Sequence, residues 1–179
     1  MRSAFLLLPV LFLSITNLLA QERSSGPVIE NFGATYEVSN PDIETHMEEV
    51  FQVVFDVKDA PEDASEVNKW IATVARFLNM HVAAGKPVET LEVALVLHGN
   101  AAYALLNQES YQQKYEVENP NIALIEALDA AGVDIILCGQ TAAHRDISKE
   151  RRIPQAQVAL SAMTALIQLQ NQNYTLINF

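Results

Sequence analysis

Short β-branched runs alternate with amphipathic stretches along this chain, and the alternation predicts an α/β protein. The expected architecture is a three-layer α/β/α domain around a five-stranded, mainly parallel sheet. Two further observations support it. Val93 to Leu97 and Ile135 to Leu137 are apolar without inside/outside alternation, as strands covered on both faces should be. No internal repeat or low-complexity block interrupts the pattern, and there is no room for a second domain.

Each element has its own signal. Phe51-Gln52-Val53-Val54-Phe55-Asp56-Val57 is β-branched and aromatic and reads as the first strand. Asp63 with Glu66 three residues later reads as a capping box opening a helix. Val67, Trp70, Ile71, Val74, Phe77, Leu78 and His81 then recur at helical spacing, and Gly85 and Pro87 end it. Leu91 to Leu97 is the second strand, closing at His98-Gly99. Ala101 to Tyr115 reads as a loop or irregular helix. Asn119 as N-cap and Pro120 at the first helical position start another helix, which runs to Gly132. Val133 to Cys138 is the third strand, and a short helix is expected near Thr141. Val158 to Leu160 is a brief fourth strand, Ser161 caps a helix over 162–170, and Tyr174 to Phe179 is the fifth strand.

Residues 1–20 read as a secretory signal. Arg2 supplies a positive start, Ala4 to Leu13 an apolar run broken by Pro9, and Ala20 a small residue before the cut. That run is shorter than the ~20 apolar residues that span a bilayer, and an uncleaved anchor is the alternative. Residues 21–49, punctuated by Gly26-Pro27, Gly33 and Asn40-Pro41, read as an irregular lead-in, and 50–179 as the domain. The expected location is therefore periplasmic or otherwise exported, with no stable membrane insertion once the signal is removed.

The chain carries 11 Lys and Arg against 22 Asp and Glu, a formal charge of −11. Nucleic acid needs a basic stripe, so this balance excludes it as a partner. A single cysteine cannot close an internal disulfide, so Cys138 is free, joined to another molecule, bound to metal or simply packed.

In an open parallel sheet, ligands bind beyond the carboxyl ends of the strands. His98-Gly99-Asn100 and Cys138-Gly139-Gln140-Thr141 lie at two such ends. If the second and third strands are neighbours, His98 and Cys138 come close on one edge, and a glycine after each permits close approach. A helix starting near Thr141 would aim free N–H groups at the thiol and favour its thiolate, and His98 or Arg145 would add positive charge. The other reading is that the cysteine only packs, as buried cysteines commonly do. His98, His144, Cys138 and Met163 show no recognised metal spacing, so no metal is expected. No phosphate-cradling glycine loop, G-x-S-x-G elbow or paired-carboxylate site is present either, and no cofactor is expected. Tyr103, Tyr111 and Tyr115 could line a pocket or a subunit contact. His81 reads as a core histidine and His46 as a solvent-facing one.

Val133-Asp-Ile-Ile-Leu-Cys138-Gly-Gln-Thr-Ala-Ala-His-Arg145 resembles the cysteine motif of the DsrE/DsrF-like proteins, a strand ending in cysteine followed by a short helix and an arginine. Val96-Leu-His98-Gly-Asn100 looks like the end of that family's second strand, and Ala159 to Gln170 with Tyr174 like its closing helix and strand. Asp146 stands where the family commonly has glycine. The resemblance covers roughly residues 50–179 and is greatest to the exported, little-characterised branch. It implies a small subunit that forms trimers or hexamers. It also implies that Cys138 carries a persulfide between a sulfur donor and an acceptor protein. In that role His98 tunes the thiol, Arg145 supplies positive potential, and Gly99, Asn100, Gly139, Gln140 and Thr141 surround the bound group. Such a protein is at most an accessory of sulfur transfer or thiol redox chemistry. The alternative is a non-catalytic oligomeric binding protein in which Cys138 is structural.

Overall fold

The computed structural model describes residues 22–178, and the expected signal segment lies outside them. Five strands form, β1 (Phe51–Val57), β2 (Leu91–Leu97), β3 (Asp134–Cys138), β4 (Gln157–Ala159) and β5 (Thr175–Asn178). Between them come the helices α1 (Lys69–Ala83), α2 (Gln108–Tyr115), α3 (Ile122–Ala130), α4 (Gly139–His144) and α5 (Ala162–Asn171), with 3₁₀ turns at Val88–Thr90 and Ala101–Leu105. The strand order is β4-β3-β2-β1-β5, and every pairing is parallel. The expected five-stranded α/β sheet is present.

Alternation along the strands divides the interior in two. On one face Val53, Phe55, Val93, Leu95, Ile135 and Leu137 pack with Ile71, Val74 and Leu78 of α1 and with Leu124, Ile125 and Leu128 of α3. On the other face Val54, Ala94, Val96 and Cys138 meet Ala162 and Ala165 of α5. Small side chains at Ala94, Ala162 and Ala165 let α5 lie close to the sheet. Because Val93 to Leu97 is covered on both sides, all five of those residues are buried, which is why that run lacks alternation.

Three helix starts differ from the sequence reading. Asp63 and Glu66 do not open α1. The Asp63 carboxylate instead accepts from the Ser65 amide and hydroxyl in a turn, and the cap is Asn68, which accepts from Trp70 N at 3.0 Å. Asn68 wins because it is tied twice more, donating to Asp59 O and, through its own amide, to Asn121 Oδ1. Asn119 does not cap α3, since its amide group is drawn inward to the carbonyls of Ala104 and Leu106, and the helix starts at Ile122. The helix expected near Thr141 begins two residues earlier, at Gly139, with Cys138 itself in the N-cap position.

Residues 22–49 contain no helix or strand beyond a bridge between Ser24 and Thr35. They are held to α1 by the buried Asn79, whose side chain bonds the backbone of Val28, Ile29, Phe32 and Gly33. Buried Lys86 donates to the carbonyls of His46, Met47 and Glu49 and lies 4.0 Å from the Phe51 ring centre. A charge this deep persists because three carbonyls and a ring face replace its water.

Candidate functional site

Cys138 is the last residue of β3, and its side chain faces α5. It is 5% exposed. Burial alone pushes a thiol up. Here that effect is outweighed by the Thr141 hydroxyl and the backbone N–H groups of Thr141, Ala162 and Gln140, which together hold Cys138 below its ordinary value. Gln140 and Thr141 belong to the first turn of α4, and Ala162 is the first residue of α5. Amides at a helix start have no partner inside the helix, so two helix starts converge on one sulfur.

Gly139 makes that convergence possible. A Cβ there would stand 2.5 Å from Ala159 O and 3.0 Å from Leu160 O, so only glycine lets the β4–α5 connection pass close enough to bring the Ala162 amide to the thiol. Gln140 donates weakly to Leu160 O across the same gap, at 3.4 Å. Gly99 has φ +54°, and a Cβ on it would stand 2.7 Å from Lys58 O. Asn100 follows on the surface, at the head of the 3₁₀ turn.

The β2·β3 register pairs Leu97 with Leu137, so His98 falls level with Cys138 one strand away. Its Nε2 lies 2.9 Å from Asp56 Oδ1 of β1. The two atoms are buried but not aligned for a hydrogen bond, and among the described residues neither has another partner.

Arg145 lies at the carboxyl end of α4, opposite the end that holds the thiol. Its guanidinium donates to the Tyr103 hydroxyl at 2.9 Å. Tyr103 packs edge-on against Tyr115, Tyr115 packs against Tyr111, and Lys114 lies over Tyr103. Burial raises the Tyr103 hydroxyl, but bonding to and charge from Arg145, with Lys114, leave it below the ordinary phenol range. Burial, with the neighbouring tyrosines, pushes Tyr115 up to about 12. Asn100 and these three tyrosines line a cleft of about 110 Å³. A larger groove, of about 740 Å³, runs between the lead-in and the end of α1, and Cys138 does not line it.

Asp146, which follows Arg145, has φ +53°. That is the left-handed region favouring glycine, so its backbone conformation accounts for a position where glycine is common, and aspartate is among the residues that tolerate it. Its carboxylate pairs with Arg151. His81 is half-buried and bonds Phe77 O, while His46 is exposed beside Glu49. Among the described residues no three His, Cys, Asp or Glu side chains gather as a metal site requires.

The site thus joins Cys138, Gly139, Gln140, Thr141 and His98, with Gly99 and Asn100 on the adjoining loop, and leaves Arg145 with the tyrosines. Sequence reasoning missed a role for Asp56, which it read as part of the first strand. The signal was there: an aspartate near the carboxyl end of an apolar strand, on the same face as Val54. It also missed the Ala162 amide, which no pattern could bring to residue 138.

The architecture occurs in solved structures. A protein of unknown function, MTH1491, from Methanobacterium thermoautotrophicum superposes with a TM-score of 0.54 at 15% identity, over 72% of this chain and 99% of its own. The ychN protein from E. coli superposes with a TM-score of 0.53 at 19% identity, again over 72% of this chain and 99% of its own. No curated protein matches the chain. The model of the DsrE/DsrF-like family matches residues 50–179, from the first residue before β1 to the end of the chain. With that match spanning the whole sheet and the cysteine at the end of β3, the chain belongs to the DsrE/DsrF-like family.

Proposed function

We propose that this chain is an exported carrier of sulfur, or a thiol-redox protein, acting through Cys138. The observation that carries the reading is the set of donors around the thiol: a hydroxyl and three amides favour a thiolate in a site where burial opposes one. A persulfide terminus is also an anion and suits the same donors. In the carrier step the Cys138 thiolate attacks the outer sulfur of a donor persulfide. A new S–S bond forms to Cys138, the donor's S–S bond breaks, and the donor leaves as a thiolate with no net redox change. Delivery to an acceptor thiolate is the same exchange in reverse.

The reading includes removal of residues 1–20 and a periplasmic or otherwise exported location, supported by the Arg2-led apolar run. It also includes assembly into trimers or hexamers and a donor or acceptor protein as partner, both carried by the family likeness. Intact-mass measurement after treatment with polysulfide tests it. A gain of about 32 Da that reductant removes, and that Cys138→Ser abolishes, is the expected result. An unchanged mass overturns it.

A specific observation favours a second reading, a non-catalytic oligomeric binding protein. Val158, Leu160, Met163 and Ile167 are apolar and exposed, Leu160 to 73% and Met163 to 71%. They surround the start of α5, and so large an uncovered apolar group marks an association surface. Under that reading Cys138→Ser leaves assembly and binding unchanged.

A further inference from the structure

Three parallel strands lie side by side in the order β3-β2-β1, and each presents one chemically active side chain near its carboxyl end. Cys138 faces α5 in company with Val54 and Val96. Asp56 has the parity of Val54, two residues along β1, and therefore faces the same way. His98 continues β2, its amide donating to Val57 O at 3.1 Å. It stands level with Cys138, roughly 5 Å away by strand spacing, and its imidazole reaches Asp56.

We infer that Asp56 is a positioning residue for Cys138, holding the His98 imidazole beside the thiol and stabilising the imidazolium formed when His98 takes the thiol proton. This deepens the reading of Cys138 as a carrier and rests on it. The balance is simple. The proton leaves Sγ for a ring nitrogen, the charge pair becomes thiolate and imidazolium, and His98 returns the proton to the departing donor thiolate.

Two observations support this. Asp56 Oδ1 and His98 Nε2 are buried without other partners among the described residues, which costs stability unless they are used together. Their 2.9 Å approach lacks alignment, as acid–base pairs often do before the reacting group arrives. The charges around His98 are few. Asp56 and Lys58 come from β1 and its continuation and Cys138 from β3, while α5, packed on the same face, carries no ionisable side chain. Asp56 is thus the acidic group facing His98 from these elements.

The test is the pH profile of Cys138 alkylation by iodoacetamide in the full domain, for wild type, Asp56→Asn, Asp56→Glu and His98→Gln. Asp56→Asn is expected to slow alkylation about tenfold near pH 6, a one-unit change in thiolate formation, and to leave the high-pH plateau intact. Asp56→Glu is expected to restore part of the loss, and His98→Gln combined with Asp56→Asn to add nothing further. Superimposable wild-type and Asp56→Asn profiles overturn the inference and leave the carrier reading standing, as does an equal loss at every pH. A wild-type thiol inert at every pH overturns both. Should Asp56→Asn fail to fold, the NMR titration of His98 in wild type and Cys138→Ser decides. A lower His98 midpoint without the thiolate supports the relay, and an unchanged one overturns it.

Discussion

At Cys138 burial opposes ionisation, and the donors of Thr141, Ala162 and Gln140 outweigh it and hold the thiol low. The Thr141 hydroxyl is the largest favourable contribution, so Thr141→Val is expected to raise the alkylation midpoint by roughly one unit, the worth of one hydrogen bond to a charged group. A midpoint unmoved by that change would show that the hydroxyl does not set the thiol's ionisation. The depressed thiol also has a stability signature. Because the folded protein releases this proton before the unfolded chain does, the contribution is fully present above the ordinary thiol range, and it fades as pH falls through the folded value. Urea midpoints should therefore show wild type gaining on Cys138→Ala as pH rises toward 9, and parallel curves would contradict the shift. Gly139→Ala forces Ala159 O away from its present place. It is expected to cost about 1–3 kcal/mol and to raise the thiol's midpoint as the Ala162 amide withdraws.

At the scale of elements, α1 is the hub of the fold. Its N-cap, Asn68, also fastens the Asp59 carbonyl and receives support from α3 through Asn121. Its interior Asn79 clasps the lead-in at four residues. Asn79→Ala removes both a donor and an acceptor from buried backbone, and the cost is expected to be about 2–4 kcal/mol by chemical denaturation. Hydrogen exchange should localise the loss to the amides of Val28 and Ile29, and uniform loss across the sheet would show that the lead-in is not separately held. The apolar periodicity of α1 was plain in the sequence, but the roles of Asn68 and Asn79 and their partners were not. Asp63 satisfies the local capping rule on paper. Asn68 prevails because its side chain bonds Asp59 O as well as its own helix, while its backbone amide donates to Asn121 Oδ1.

For the whole molecule, one sheet face is covered by α1 and α3 and the other by α5. Like Val38 and Ile43 in the lead-in, Leu160, Met163 and Ile167 on that second side are exposed apolar side chains. Self-association through them is expected to be sensitive to charge. Leu160→Glu with Met163→Lys should shift a trimer or hexamer toward monomer by light scattering while leaving the melting of the monomer within about 0.5 kcal/mol. Wild type that scatters as a monomer at micromolar concentration would count against assembly.

The sequence alone was enough for the α/β class, the strand positions and the address of the cysteine. These depend on local periodicity and on the rule that parallel strands present their carboxyl ends together. Tertiary structure decided that the Ala162 amide joins Thr141 and Gln140 at the sulfur and that Asp56 meets His98. Asp56, Thr141 and Ala162 lie on three separate elements, and the register of β1, β2 and β3 and the close pass permitted by Gly139 bring them to one end of the sheet. Arg145 shows the converse. It is seven residues from Cys138 in the chain, yet a six-residue helix carries it to the far end, where Tyr103 receives it.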